Sequence, residues 1–73
     1  MKYAIVIEKA SHNYSAHVPD LPGCISTGRT LGEVRRNIQQ AIELHLEGMR
    51  KDGEPIPKPT TRCEYVDAPV EAA

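Results

Sequence analysis

Residues 14–28 read Tyr-Ser-Ala-His-Val-Pro-Asp-Leu-Pro-Gly-Cys-Ile-Ser-Thr-Gly, two strand patterns separated by a turn rich in proline. Apolar and polar residues alternate over Tyr14–Val18, which is typical of a strand with one buried face. Residues 19–23 cannot continue that strand, because their two prolines lack the N–H that a sheet needs. We therefore expect strands over Tyr14–Val18 and Cys24–Thr27, preceded by a first strand over Tyr3–Ile7.

A helix is predicted directly after this segment. Thr30, followed three residues later by Glu33, fits a capping box. Gly53 suits a left-handed helix end, and Pro55 prevents the helix from resuming. A narrow apolar stripe at helical spacing is expected to lie on the sheet, and its members are Leu31, Val34, Ile38, Ala41, Ile42, His45 and Met49.

The predicted fold is an α+β domain of order β-β-β-α-β that spans residues 1–73. Arg62–Val66 is interpreted as the fourth strand, and residues 67–73 as a frayed tail. A right-handed helical crossover favours the sheet order 3-2-1-4. The first strand is central in that order, and its nearly continuous apolar run is typical of a central strand covered on both faces. No helix in the sequence covers the other face of the sheet. That face is either an interface or an ordinary solvent-exposed face.

Composition excludes several functions. The formal net charge of −1 argues against a dedicated nucleic-acid binder. The local cluster of Arg29, Arg35 and Arg36 is interpreted as a solvated helix face rather than a phosphate site. Without a secretion signal or a membrane-length apolar run, we expect a cytoplasmic protein with two reduced thiols. A core this small favours self-association.

The residues that carry chemistry do not form a recognisable catalytic or metal pattern. The three histidines and two cysteines lack zinc-ligand spacing. Cys24 begins a strand, so no helix dipole activates it. A ribonuclease H-type nuclease needs several carboxylates around two cations, and the first strand has none between Lys2 and Ile7. We expect no enzyme, cofactor or metal.

The same residues resemble the HicB family, the antitoxins of HicA–HicB toxin–antitoxin pairs. The resemblance runs from about Tyr3 to Pro59. It is carried by the strand and turn at residues 14–24, by Gly28–Glu33 with the helix behind it, and by the Asp-Gly-Glu-Pro-Ile-Pro closing at 52–57.

This resemblance implies a partial ribonuclease H-like domain without the nuclease carboxylates. It also implies a partner, a small mRNA-cleaving toxin of HicA type, whose active site the antitoxin covers. Many relatives append a DNA-binding domain. Because this sequence stops at Ala73, we expect a short form with no direct DNA binding, and no membrane partner.

The predicted partner-binding residues are Asp20, Leu21, Pro22, Arg36, Glu43, Leu44 and Glu47. Their acidic members would complement a basic RNA-binding toxin and speed encounter. The alternative is that Asp20 only forms the turn and the glutamates form a solvated face. Leu44, about 120° from the apolar stripe, is either a contact or an ordinary exposed leucine. At the level of function, the alternatives are a stand-alone homo-oligomer with no toxin and a cryptic enzyme.

Overall fold

The computed structural model of the chain describes residues 1–71. Three short strands precede one long helix: β1 (Val6–Lys9), β2 (Tyr14–His17), β3 (Ile25–Gly28) and α1 (Leu31–Lys51). The strands pair antiparallel in the order β1-β2-β3. The α+β class, the three antiparallel strands and the single helix are therefore confirmed.

The helix begins and ends where the sequence predicts. Thr30 is the N-cap, and its hydroxyl accepts a hydrogen bond of 3.0 Å from the Glu33 amide. At the other end Gly53 has φ of +70°. The Gly53 amide donates to the Arg50 carbonyl and the Glu54 amide to the Met49 carbonyl. This pair of bonds is a Schellman motif, which satisfies carbonyls that the helix end would leave unpaired.

The core lies between α1 and one face of the sheet. Ile7, Ala16 and Ser26 are cross-strand neighbours on that face. One member of the predicted helix stripe, Leu31, is exposed, and Leu46, which the stripe did not include, packs against the core. The buried hydrophobic residues are Ala16, Val18, Leu21, Cys24, Val34 and Ile38.

The strand β3 and the helix approach so closely that only glycine fits at position 28. A Cβ placed on Gly28 would lie 2.5 Å from the Val34 backbone nitrogen. The Asn37 side-chain amide also donates to the Thr27 carbonyl at 2.8 Å. These two contacts fix the orientation of α1 on the sheet.

The predicted fourth strand is not found among residues 1–71. The predicted sheet order 3-2-1-4 is therefore not confirmed, although its first three strands have the predicted neighbours. Residues 54–71 form no regular element, and 60–71 are exposed throughout. A strand needs a neighbouring strand to pair its backbone hydrogen-bonding groups, and none of the strands within residues 1–71 pairs with Arg62–Val66. As a consequence β1 is an edge strand rather than a central one, and it begins at Val6 rather than Tyr3. Of the tail expected at 67–73, residues 72 and 73 lie outside the described residues.

Candidate partner-binding surface

The turn between β2 and β3 is fixed by a buried side chain and by backbone hydrogen bonds within the turn. Leu21 is 0% exposed and anchors the turn in the core. Around it, the Leu21 amide donates to the Val18 carbonyl at 3.0 Å and the Cys24 amide to the Leu21 carbonyl at 3.0 Å. Gly23 completes the reversal with φ of +85°. Leu21 therefore cannot contact a partner in this conformation, whereas Pro22 is exposed.

Asp20 is engaged within the chain. Its carboxylate accepts the amides of Thr60 and Thr61, both at 3.0 Å, and their hydroxyls at 3.1 and 2.7 Å. Hydrogen bonds to the charged form favour it. The pKa of Asp20 is accordingly lowered, chiefly by hydrogen bonds from the backbone and side chain of Thr61. Desolvation opposes this lowering, and hydrogen bonds from Thr60 add a smaller contribution to it. We call this set of contacts the Asp20 latch.

The remaining predicted contact residues lie on the solvent side of α1. Arg36, Glu43 and Glu47 recur at spacings of seven and four, so they form one stripe opposite the core. All three are exposed, and Leu44 beside them is 70% exposed. Glu47 pairs with Lys51 at 3.4 Å, but both side chains are largely exposed, and such pairs contribute little. We call Arg36, Glu43, Leu44 and Glu47 the helix surface.

A second exposed surface is the sheet face that turns away from α1. The registers place Val6, His17 and Ile25 in one cross-strand row on this face. Ile25 is 69% exposed. The sequence predicts an uncovered face here, and the structure shows it to be partly apolar. We call this row the outer sheet face.

Comparison with known proteins adds the decisive observation. The sequence model that describes the HicB-like antitoxin of bacterial toxin–antitoxin systems matches residues 3–71. The chain belongs to the HicB-like antitoxin family. A solved structure titled as a HicA3 and HicB3 toxin–antitoxin complex contains a chain of similar fold, with a TM-score of 0.71 at 30% identity. The match covers 82% of this chain and 70% of that one.

Relatives of this HicB-like chain occur in a phage and in archaea. An uncharacterised 14.9 kDa protein of Haemophilus phage HP1 is 45% identical over 69 residues, which is 94% of this chain and 52% of the phage protein. This chain thus spans about half the length of that relative. A UPF0150 protein of Thermoplasma acidophilum is 41% identical over 59 residues, covering 80% of this chain and 86% of that protein.

Metal-ligand clusters, helix length and thiol pairing among the described residues bear on the chemistry of this HicB-like domain. Within residues 1–71, no three His, Cys, Asp or Glu side chains come together as a metal site. No helix in the same range has the length and apolarity to cross a membrane. The two thiols are unpaired, with Cys24 buried and Cys63 exposed. Membership of an antitoxin family is consistent with a protein that binds rather than catalyses.

Sequence reasoning missed the Asp20 latch. Thr60 and Thr61 lie 40 and 41 residues from Asp20, and no local pattern links positions so far apart. The proline-rich connector before them gave a partial signal, because a stiff connector returns the chain to a defined place. The structure brings together the four members of the helix surface. In the structure Asp20 forms the Asp20 latch, and Leu21 is buried in the core.

Proposed function

We propose that this protein is an antitoxin module that neutralises a small RNA-cleaving toxin of HicA type by covering the toxin's active site. The observation that supports this most directly is the similarity, at a TM-score of 0.71, to a chain from a HicA3 and HicB3 toxin–antitoxin complex. The family match over residues 3–71 agrees with it. The three-stranded sheet with its helix would be the remnant of a ribonuclease H-like fold.

The helix surface is the proposed contact region. It combines an exposed leucine with two carboxylates and an arginine, and interfaces are typically built from an apolar contact with charged groups around it. Arg36 and Glu43 also border a shallow depression with Gln39 and Gln40. Glu43 and Glu47 would meet basic groups with which the toxin binds RNA, so binding and RNA exclusion would use the same toxin surface.

The proposal extends to where the protein acts. A partner that cleaves mRNA implies a cytoplasmic site of action, and the free thiols Cys24 and Cys63 agree with a reducing compartment. We also propose that this domain does not itself bind DNA, because its formal charge is −1 and the exposed acids of the helix surface would repel phosphates.

The test is recovery of the partner in a defined complex. The tagged chain is purified from its native cells, and any stoichiometric companion is separated and assayed alone with RNA. The proposal predicts a small basic protein that cleaves RNA when free and fails to cleave it in the complex. A companion without RNA-cleaving activity would contradict it.

The alternative is a stand-alone homo-oligomer, and the partly apolar outer sheet face favours it. Ile25 is exposed there in the same cross-strand row as Val6, with His17 between them, and small domains gain stability by self-association. Replacing Ile25 with lysine would then dissociate the oligomer, and Gln39→Lys, at an exposed position of α1 away from this face, is the matched control. In this alternative only copies of the chain itself are recovered from native cells.

A further inference from the structure

The residues Arg62–Val66, which we call the C-terminal segment, have the properties of a strand without a neighbour. Tyr65 is 105% exposed and Val66 is also largely exposed. The Arg62 Nε lies 3.4 Å from the Glu64 Oε1, and side chains two residues apart share a side in an extended chain. Tyrosine and valine favour strands. The segment therefore presents apolar side chains and unpaired backbone groups to water.

The C-terminal segment leaves the domain from a fixed point. Just before it, Thr60 and Thr61 are held by the carboxylate of Asp20. A few residues earlier, the Tyr3 hydroxyl donates to the Pro57 carbonyl. The segment therefore starts next to Asp20 in the turn between β2 and β3, a few residues after the connector passes Tyr3.

The strand β1 offers a free edge. It pairs with β2 on one side, and no strand among residues 1–71 pairs with it on the other. The opposite edge of the sheet is less available, because Gly28 lies against Val34 and the Thr27 carbonyl already accepts from Asn37. An unpaired edge is a template for another strand.

The shape of the single chain indicates how much surface is available for burial. Its radius of gyration is 15.0 Å, whereas a compact domain of this length has about 11 Å. It exposes 6083 Å², compared with about 4,500 Å² for a compact folded monomer of the same mass. The excess is about twice the ~800 Å² that each partner contributes to a standard interface.

We propose that two copies of this chain exchange their C-terminal segments, so that Arg62–Val66 of each copy pairs as a strand along the free edge of β1 in the other. Each chain carries one donor strand and one acceptor edge, so a two-fold dimer satisfies both at once. The exchange gives each copy a four-stranded sheet. This inference is independent of the toxin-binding proposal, which concerns the helix surface.

The experiment combines sedimentation with an interchain distance measurement on the full chain. Sedimentation is run from low to high micromolar concentration. A mixed sample of isotope-labelled and unlabelled chains is then used to record nuclear Overhauser effects that arise only between copies. The proposal predicts a dimer with contacts between residues 62–66 of one copy and 5–8 of the other. Monomer at every concentration, or contacts only within one chain, would overturn it.

Proline variants separate this interface from any other. Tyr65→Pro removes a backbone donor within the segment, and we expect it to weaken dimerisation by at least ~10-fold. Val70→Pro is the matched control, because Val70 is equally apolar and exposed but lies outside the segment, and it should leave the dimer unchanged. A dimer that resists Tyr65→Pro but dissociates with Ile25→Lys would place the interface on the outer sheet face and contradict the exchange.

Discussion

Asp20 ties the connector that follows α1 to the turn between β2 and β3. In the sequence it stands in a turn rich in proline, where aspartate is common, and an exposed carboxylate there is a reasonable partner contact. In the structure the carboxylate accepts four hydrogen bonds from Thr60 and Thr61. Its role is therefore to hold the connector against the domain, and the proposed partner contacts that stay exposed lie mainly on α1.

The latch should depend on pH in a defined direction. Because the folded state lowers the pKa of Asp20, the latch stabilises the fold above the unfolded value of about 3.9 and is lost as pH falls through the lower folded value. We expect the Thr60 and Thr61 amide signals to shift with a midpoint below 3.9 in an NMR titration. Asp20→Asn should abolish that transition, whereas Asp67→Asn should retain it. A midpoint at or above 3.9 would contradict the latch.

The two cysteines should react at very different rates. Cys63 is exposed, whereas Cys24 is buried in the core and burial raises the pKa of its thiol. With a disulfide reagent at mildly alkaline pH, one thiol per chain should react at once and the second roughly 100-fold or more slowly, because it requires opening of the fold. Cys63→Ser should remove the fast phase. If both thiols reacted with the reagent at the same fast rate, Cys24 would not be buried in the core.

At the scale of elements, the helix and the three strands follow from local patterns. The Thr30 cap, the Gly53 stop and the alternation over residues 14–18 are each encoded within a few neighbouring residues. The fourth strand is different, because its existence depends on a pairing partner and not on propensity alone. Arg62–Val66 has a strand-like sequence, yet the single chain leaves it unpaired.

The packing of β3 against α1 predicts a sharp contrast between two glycines. Gly28→Ala would place a Cβ 2.5 Å from the Val34 nitrogen, so we expect a loss of about 1–3 kcal/mol in the free energy of unfolding. Gly48 lies in α1 with nothing near its absent Cβ, and Gly48→Ala should stabilise by about 0.5–1 kcal/mol. Urea denaturation measures both. A Gly28→Ala protein as stable as the wild type would contradict the close approach.

At the scale of the whole molecule, the candidate surface was only partly predictable. Arg36, Glu43, Leu44 and Glu47 are exposed together because helical spacing places them away from the core, and that spacing is visible in the sequence. The burial of Leu21 is not predictable from the sequence, because an apolar residue between two prolines can point either toward solvent or toward the core. Only the fold of the turn shows that it enters the core.

Charge on the helix surface should govern encounter with the proposed toxin. Glu43→Lys with Glu47→Lys reverses the local charge, and we expect association to slow by roughly 10-fold at low salt, with less effect at high salt. Glu54→Lys with Asp67→Lys changes net charge equally but lies outside the helix surface, so it should have a much smaller effect. Stopped-flow mixing measures both. Equal slowing by the two pairs would assign the effect to net charge alone.

The proposed antitoxin role is tested most directly by the rate of RNA cleavage. The RNA-cleaving partner is titrated with this protein, and the initial rate is followed as the ratio of the two chains rises. Coverage of the active site predicts that cleavage falls linearly and stops near a fixed stoichiometry, and that excess RNA delays the inhibition. Cleavage that continues undiminished in the presence of excess, correctly folded protein would contradict the proposed function.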